Sequence, residues 1–280
     1  MKKIKKIDNL KIIEEDNKKI CIKRVNNSLL NRYNYLRSKG FYNIFDYKIN
    51  NGYEIRSFVD EIDISKEDKI YNLIYLIAML HTKTTHYKNI SLDEIKTFYE
   101  KETDEIIDIK NYYNTICENN DYKMLLLPSI NLLIDNISLL FISLDKSKYF
   151  LDKWYEVVKD KKRKRVVLNH NNLKISNYIV SDNSYLINWD KSIIDTPVID
   201  LYSLFKNNID NIDLIDCFNT YKTKYVLYEE EVLFLYFKLL KIDKVLFDKD
   251  EFDNTTEVYD IINYLEIINE FLEYNLKSEK

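Results

Sequence analysis

Residues 166–190 read VVLNHNNLKISNYIVSDNSYLINWD. Two short β-like runs lie inside this stretch, Val166-Val167-Leu168 and Tyr185-Leu186-Ile187, and polar segments adjoin both. The side chains in those polar segments that can do chemistry are His170, Asn177, Asn188 and Asp190. The pattern predicts a strand–loop–strand insert whose loops carry the candidate functional groups.

Helical patterns lie on both sides of this insert. Ser65 with Asp68, and Ser91 with Glu94, place an acid three residues after a serine, which is an N-terminal capping signature. The second of these helices is predicted to end near Ile116. Further helices fit residues 126–158, 210–223, 228–242 and 256–275. The chain after residue 60 is therefore predicted to be mainly helical.

The first sixty residues are predicted to form strands with one helix between two hairpins. Residues 44–49 and 53–59 flank Asn50-Asn51-Gly52, and Asn-Gly is a strong hairpin signal. An earlier hairpin is predicted around the polar residues 16–19. Between the hairpins, residues 28–39 are predicted to form a helix that Gly40 closes in the left-handed conformation.

These elements together predict the α+β class. Residues 1–60 are expected to form a small β-rich N-terminal lobe with one helix. Residues 61–280 are expected to form a larger, mainly helical C-terminal lobe that carries the insert at 166–190.

Composition restricts the function classes. The net charge is −4 and the pI is about 5.6, so no global field attracts nucleic acid or a membrane surface. Cys21, Cys117 and Cys217 form no C-x-x-C pair, which predicts neither a disulfide framework nor a zinc site. The two glycines, Gly40 and Gly52, leave no glycine-rich loop for cradling phosphate.

No segment is predicted to cross a membrane. The most apolar stretch, residues 124–144, contains Pro128 and Asp135, and we interpret it as a buried helix. The N-terminal residues MKKIKKIDNLKII include several basic residues but no uncharged apolar core of the kind found in signal peptides. We therefore expect a cytoplasmic protein.

The order of these motifs resembles the protein-kinase-like fold of the aminoglycoside phosphotransferase and choline kinase family. In that family a loop of the form His-Gly-Asp-x-x-x-x-Asn precedes a strand ending in Ile-Asp-Trp or Ile-Asp-Phe, and Asp-Leu follows. The corresponding segments here are HNNLKISN at 170–177, INWD at 187–190 and PVIDL at 197–201. Leu80-His81 also ends a helix where the family often has Leu-His. Within the family, the chain looks most similar to the spore-coat kinase-like branch.

The resemblance implies that the catalytic machinery is degenerate. The catalytic aspartate of the family falls at Asn172, whose neutral amide cannot accept a proton at pH 7. The metal-binding aspartate falls at Asn188 and the second metal ligand at Asn177, whereas Mg²⁺ favours at least one carboxylate. Asp190, two residues past Asn188, could share its face of a strand and replace the missing ligand.

The nucleotide-binding side of the resemblance is degenerate as well. Lys23 takes the place of the lysine that pairs with phosphate. Residues 1–19 contain no glycine, and the predicted helix 28–39 contains no acid to pair with Lys23. Lys23 could therefore be an ordinary surface lysine. The expected cofactor is none, or weakly bound ATP with Mg²⁺.

Two other features have a structural interpretation beside a functional one. His170 is expected to brace its loop and not to react. Six of the seven residues from Lys159 to Arg165 are basic, and they could bind an acidic ligand or an anionic surface. Because no aromatic residues alternate with them, we favour a solvated loop and expect no nucleic-acid partner.

The leading hypothesis is a pseudokinase that works by binding a protein or small-molecule partner, with a role in spore assembly if the spore-coat resemblance holds. The alternative is a divergent but active ATP-dependent phosphotransferase that acts on a small-molecule hydroxyl. In that case Asp190 or Asp195 would replace the missing carboxylates. A switch that binds ATP without hydrolysing it lies between the two. The sequence identifies neither the partner nor the ligand.

Overall fold

The computed structural model describes residues 3–7, 10–15, 18–24, 27–120 and 126–278. The chain divides into two compact units. The first comprises Met1–His86, Val166–Leu204 and Thr220–Tyr225, and the second comprises Tyr87–Arg165, Phe205–Asn219 and Val226–Lys280. This division does not test the lobe boundary predicted after residue 60, which stays a prediction. The first unit contains every residue of the candidate site described below.

Strands are concentrated near the N-terminus and in the predicted insert. Within the described residues they are β1 (Lys3–Ile7), β2 (Leu10–Glu15), β3 (Lys18–Arg24), β4 (Lys48–Asn50), β5 (Tyr53–Ser57), β6 (His86–Asn89), β7 (Arg163–Asn169), β8 (Tyr178–Val180), β9 (Ser184–Leu186) and β10 (Ile193–Asp195).

Helices make up most of the rest. In the same described ranges they are α1 (Asn27–Ser38), α2 (Lys66–Thr84), α3 (Leu92–Asn120), α4 (Pro128–Asp135), α5 (Ile137–Val158), α6 (Val198–Asn208), α7 (Leu214–Lys222), α8 (Glu229–Leu240) and α9 (Glu251–Ser278). Short 3₁₀ helices cover Ile175–Asn177, Trp189–Lys191 and Ile209–Asn211. The predicted α+β class is confirmed.

The N-terminal strands of the first unit form one antiparallel sheet of order β1-β2-β3-β5-β4. Strands β3 and β5 lie side by side, and their register places Lys23 opposite Glu54 and Cys21 opposite Arg56. Directly opposite residues share one face of a sheet, so these four side chains lie on the same side. Both predicted hairpins are present, although residues 16 and 17 of the first turn lie outside the described residues.

The second hairpin is shorter than the sequence predicts. Asn51 and Gly52 turn the chain with φ angles of 48° and 78°, as the Asn-Gly signal requires. Strand β4 begins at Lys48, however, and not at residue 44. Ile44 and Phe45 are both buried, and consecutive residues of a strand would face opposite sides. This pair does not follow the alternation of a strand with one buried face, and the segment before β4 is irregular.

Helix α1 packs one apolar face against its own unit. Its buried residues Leu29, Tyr33 and Leu36 recur at helical spacing. Gly40 ends the helix with a φ of 72°, and the Phe41 N–H donates to the Leu36 carbonyl over 2.9 Å. The predicted helix and its left-handed glycine are confirmed.

Both predicted helix starts are present with their caps. The Ser65 hydroxyl oxygen accepts a hydrogen bond from the Asp68 N–H over 3.0 Å at the start of α2. At the start of α3, the Glu94 N–H donates to the Ser91 hydroxyl oxygen over 3.1 Å, and the Ser91 N–H donates to the Glu94 carboxylate over 2.8 Å. This reciprocal pair is a complete capping box.

The predicted insert is present in the first unit, with more strands than the sequence suggests. Strand β8 pairs with β9 in an antiparallel hairpin that places Tyr178 opposite Leu186. Residues 166–169 of β7 belong to the same unit, and residues 167–169 pair with β10, with Leu168 opposite Ile194. Strands β8 and β10 were not predicted, because three residues are too few to show the alternation of apolar and polar residues that identifies a strand.

The second unit is built from long helices around an aromatic core. The Phe218 and Phe271 rings lie 5.5 Å apart, and the Phe150 and Tyr236 rings lie 5.3 Å apart. The single helix predicted over residues 126–158 is wrong, since α4 and α5 meet at Asn136 with a bend of 56°. In the described part of the chain no single helix could cross a membrane by length and composition, although α4 and α5 together pass that test.

Candidate functional site

The loop after β7 is anchored by a buried carboxylate. Asp200, on α6, has no exposed surface. Its Oδ2 accepts a hydrogen bond from the His170 N–H over 2.7 Å, and its Oδ1 accepts one from the Asn171 N–H over 2.8 Å. The backbone of residues 170 and 171 is therefore held in place by charge-assisted hydrogen bonds.

A histidine from α2 completes this anchor. His81 is fully buried, and its Nε2–H donates to Asp200 Oδ2 over 3.3 Å. The Tyr221 hydroxyl lies 2.7 Å from His81 Nδ1 on the other side of the ring. The Leu-His and Asp-Leu motifs, which are more than a hundred residues apart in the sequence, meet at this contact.

His170 holds the insert together. Its Nε2–H donates to the Ile187 carbonyl over 2.8 Å, and its ring lies 4.7 Å from that of Trp189 at a steep angle. Burial lowers the pKa of His170, so the neutral form is favoured. A neutral, fully buried ring in these contacts has the arrangement that a bracing role requires.

Four predicted site residues form one chain of hydrogen bonds. Lys23 Nζ donates to Asn188 Oδ1 over 3.1 Å. Asn188 Nδ2 donates to Asn177 Oδ1 over 2.8 Å. Asn177 Nδ2 then donates to the main-chain carbonyl of Asn172, also over 2.8 Å. The sequence places these residues up to 165 positions apart, and the structure brings all four together.

Asp190 also reaches this chain, but not by the route that the sequence suggests. Asn188 is in the left-handed conformation, with φ 63° and ψ 54°, and residues 189–191 form a 3₁₀ turn. The premise that Asn188 and Asp190 share a strand face is therefore wrong. The turn instead presents Asp190 Oδ2 to Lys23 Nζ at 2.8 Å. Asparagine tolerates the left-handed conformation better than most residues do.

Sequence reasoning missed Glu54 as a member of the site. It stands opposite Lys23 in the β3–β5 register and is only 4% exposed. The Tyr33 hydroxyl donates to its Oε2 over 3.4 Å, and Arg56 Nε lies 3.5 Å from its Oε1. Burial raises the pKa of Glu54, while the positive charges of Arg56 and Lys23 oppose that rise.

The signal that could have identified Glu54 is register. Helix α1 carries no acid, as the sequence shows, but the neighbouring strand does. Counting forward from the Asn51-Gly52 turn places Glu54 on β5, and only the pairing of β3 with β5 places it opposite Lys23. A pairing between strands so far apart in the sequence cannot be read from local patterns.

The donor set at this site does not suit Mg²⁺. The sequence resemblance assigns the metal-ligand positions to Asn177 and Asn188, and each side-chain oxygen already accepts an N–H donor from the protein. The Lys23 ammonium also contacts Asp190, the nearby carboxylate. Mg²⁺ requires oxygen ligands in near-octahedral geometry, so it would have to displace both the ammonium and the Asn188 amide.

The other two candidate features lie elsewhere. The Asp195 carboxylate accepts the N–H of Thr196 over 2.8 Å. In the basic run, Lys159 and Lys161 form ion pairs of 2.6 Å with Glu156 and Glu230, and Arg165 pairs with Glu231. Three of its six positive charges are thus used within the second unit.

A separate cavity of about 520 Å³ opens in the first unit. Its wall includes Phe45 and Tyr185, whose rings stack 4.5 Å apart, together with the exposed Tyr42. The cavity wall includes neither Lys23 nor any of the three asparagines of the hydrogen-bond chain. It is therefore a different surface from the candidate site.

Comparison with solved structures identifies the fold. An aminoglycoside phosphotransferase from Alicyclobacillus acidocaldarius matches with a TM-score of 0.71 at 12% identity, covering 99% of this chain and 92% of that one. The AMP-bound spectinomycin phosphotransferase matches with a TM-score of 0.53 at 15% identity, covering 95% of this chain and 92% of that one. The sequence matches no protein-family model and no curated protein.

The class that fold and sheet order define is the protein-kinase-like fold. More particularly, this chain has that fold in the form found in aminoglycoside phosphotransferases. Choline and ethanolamine kinases also match, with TM-scores of 0.42 to 0.47 that are too low to carry an argument. At these identities the likeness establishes fold and leaves activity open.

Proposed function

We propose that this chain is a pseudokinase of the aminoglycoside phosphotransferase-like family, acting by binding a ligand or a partner and not by phosphoryl transfer. The observation that carries the proposal is the 2.8 Å hydrogen bond from Asn188 Nδ2 to Asn177 Oδ1. In an active member of this fold, both positions would direct oxygens at a metal ion. Here one of them directs an N–H donor at the other.

The catalytic-base position supports the same proposal. Asn172 has an amide side chain, which cannot accept a proton from a substrate hydroxyl at pH 7. A positioned base is worth about 10²–10⁴ in rate. The loop that carries Asn172 is nevertheless fully anchored, because Asp200 and Asn177 hold its backbone. The scaffold of the loop is intact while its reactive group is missing.

One observation favours the alternative, a divergent ATP-dependent phosphotransferase acting on a small-molecule hydroxyl. Asp190 is a carboxylate 2.8 Å from Lys23, and its side chain is 51% exposed. A carboxylate in that place could act as a base or hold a metal after a rearrangement of Lys23. The alternative therefore requires Asp190 for activity, or Asp195 if that carboxylate replaces the missing ones instead, whereas the pseudokinase has no transfer activity to lose.

The test compares the unchanged chain with Asp190→Asn and with the double variant Asn172→Asp, Asn188→Asp. Each protein is incubated with Mg²⁺–ATP and a panel of amino alcohols and aminoglycosides, and ADP release is measured. The proposal expects no ADP above the no-protein background from the unchanged chain. Release that depends on a hydroxyl substrate and disappears in Asp190→Asn would overturn it in favour of the alternative.

The double variant indicates whether the asparagines are what prevents catalysis. It restores the base and the metal-binding carboxylate on an anchored loop, so we expect it to gain Mg²⁺-dependent ATP binding in a calorimetric titration. Calorimetry of the unchanged chain under the same conditions is the control. If the double variant binds no better, these two residues are not the main reason for the loss.

We also make a proposal about the location of the protein and the kind of partner it binds. We propose a cytoplasmic protein whose partner is another protein or a small molecule and is not a nucleic acid. Association with a spore is the more specific expectation from the sequence resemblance. Co-purification from sporulating and vegetative cells of the source organism would test it, and equal recovery from both would count against a spore role.

A further inference from the structure

We infer that the Lys23 ammonium is a built-in cation that occupies the metal position of this site. This rests on the proposed function, because it explains how a kinase-like site can be stable without Mg²⁺. Lys23 Nζ lies 3.1 Å from Asn188 Oδ1 and 2.8 Å from Asp190 Oδ2. An ammonium is a compact point charge with three donors, and here it satisfies two oxygens that converge on one point.

The position of the ammonium is set by the fold. Lys23 lies on β3, inside a sheet that pairs it with β5, and its side chain is 20% exposed. Asn188 is fixed from the other side by its hydrogen bond to the buried Asn177. The contact therefore joins two anchored elements of one unit, unlike a contact between two mobile surface side chains.

With Asn188 neutral and Asp190 the one carboxylate that Lys23 contacts among these residues, charge balance favours the ammonium over a divalent cation. Lys23 and Asp190 neutralise one another at 2.8 Å. A divalent ion at the same oxygens would lie beside an ammonium in a partly buried site, where like charges repel strongly. Removing the ammonium would leave Asn188 Oδ1 and Asp190 Oδ2 without their shared donor, which is the ligand chemistry that a hard cation binds.

The Lys23 ammonium also affects how this site would bind an anionic ligand. An anionic group that enters it would meet an ammonium directly and would need no bridging metal. Binding of a phosphate-bearing ligand to the unchanged chain is therefore expected to be independent of divalent cations. In this respect the site differs from an active kinase site, where metal ions bridge the phosphates.

Manganese is the probe for the test, because free and bound Mn²⁺ are distinguished by electron paramagnetic resonance. Lys23→Met removes the ammonium and keeps most of the side-chain stem. We expect it to bind one Mn²⁺ about tenfold or more tightly than the unchanged chain. The matched control is Lys19→Met. Lys19 lies on the same strand, and its ammonium lies 3.6 Å from the Asp60 carboxylate.

Two further variants make the outcome specific. Lys23→Arg keeps a positive charge and should bind Mn²⁺ no better than the unchanged chain. Lys23→Met combined with Asp190→Asn removes the only carboxylate that this mechanism uses, and its Mn²⁺ affinity should return to the unchanged level. Thermal unfolding of each variant verifies that it is folded. Lys23→Gln serves in place of Lys23→Met if the latter does not fold.

Failure of this inference and failure of the proposed function give different results. A Lys23→Met protein that binds Mn²⁺ no more tightly than Lys19→Met overturns the built-in cation. Equal Mn²⁺ affinity of the single and the double variant overturns it as well, because the site would then not involve Asp190. Phosphate transfer by the unchanged chain would instead overturn the proposed function, whatever the manganese result.

Discussion

At the scale of single residues, an amide and a carboxylate differ at one terminal atom. The amide nitrogen donates hydrogen bonds and needs an acceptor beside it, whereas a carboxylate oxygen accepts them and needs a donor or a cation. A carboxylate at position 188 could only accept, and a cation would have to mediate between it and Asn177. The amide at Asn188 donates directly to Asn177 Oδ1 over 2.8 Å and accepts from Lys23. With an amide at position 188, the contact with Asn177 forms without a metal ion.

Asn188→Asp tests this exchange. Two oxygens would then face each other across the former hydrogen bond, leaving a buried acceptor on Asn177 without its donor. We expect the free energy of unfolding, measured by urea titration in metal-free buffer, to fall by about 1–3 kcal/mol. Added Mg²⁺ should restore stability, by about 2.7 kcal/mol at a hundredfold excess over its Kd.

The control for that variant is Asn183→Asp, which adds the same charge at an exposed position of the β8–β9 turn. It should neither lose stability nor respond to Mg²⁺. An Asn188→Asp protein that is as stable as the unchanged chain, with or without Mg²⁺, would show that the hydrogen bond to Asn177 contributes little.

Asp200 is the residue on which the loop geometry depends most. Its buried carboxylate accepts two backbone N–H groups and the ring N–H of the buried His81. Asp200→Asn removes the charge and turns an N–H donor toward one of these donors. The expected loss in the free energy of unfolding is about 3 kcal/mol, measured by urea titration. The exposed Asp182→Asn should change it by less than about 0.5 kcal/mol.

At the scale of elements, strand β5 supplies the acid that helix α1 lacks. Glu54 stands opposite Lys23 in the neighbouring strand and accepts a hydrogen bond from Tyr33 of α1. The Glu54 side chain therefore lies between β3 and α1. In this arrangement Lys23 does not depend on an acid carried by a helix. Taken in the order of their contacts, Arg56, Glu54, Lys23 and Asp190 alternate in sign, and a buried charge such as Glu54 is tolerated when opposite charges adjoin it.

The pH dependence of stability follows from Glu54. Burial raises its pKa above the unfolded value of 4.5, with Asp190 acting in the same direction and Arg56, Lys23 and Tyr33 acting against it. The folded state therefore binds this proton more tightly than the unfolded state does. Its contribution to stability is complete below pH 4.5 and is lost as the pH rises through the raised pKa.

Glu54→Gln tests that dependence by thermal unfolding between about pH 4 and pH 8. The variant cannot lose a proton, so its Tm should decline less over this range than that of the unchanged chain. The comparison is Asp60→Asn, which removes a carboxylate that is 83% exposed. Parallel Tm curves for the unchanged chain and Glu54→Gln would mean that Glu54 is not the titrating group.

Elements with local signals were predictable from the sequence, and those that depend on distant partners were not. The Asn51-Gly52 turn, the Gly40 helix end and the caps at Ser65 and Ser91 all use interactions within a few residues. The break between α4 and α5 occurs at Asn136, where no glycine or proline marks it. Helix α6 was missed because its first residues were interpreted only as an Asp-Leu motif.

The candidate site shows the same limit. The motif order in the sequence identifies Asn172, Asn177, Asn188 and Lys23 as neighbours, and the structure joins them by hydrogen bonds. The motif order could not indicate that the Asn188 amide donates to Asn177, or that a 3₁₀ turn brings Asp190 to Lys23. Those details depend on backbone conformation at single residues, which composition and spacing do not encode. The roles of these residues in ligand binding stay predictions.

At the scale of the whole molecule, fold and chemistry are separable. The chain matches an aminoglycoside phosphotransferase over 99% of its length at 12% identity, so the fold tolerates replacement of most of its residues. The anchoring contacts of Asp200 and His81 are part of that scaffold. At positions that the sequence resemblance assigns to catalysis and metal binding the chain carries Asn172 and Asn188, and the Lys23 ammonium contacts Asn188.

The most direct test of the account is a calorimetric titration of the full, unchanged chain with ATP, performed once with Mg²⁺ and once with a chelator. The account predicts the same result in both titrations, either no heat of binding or one Kd unchanged by the metal. An affinity for ATP that rises about tenfold or more with Mg²⁺ would show that metal ligands form at this site. That result would contradict the assignment of Lys23 as the resident cation and the loss of metal binding expected from Asn177 and Asn188.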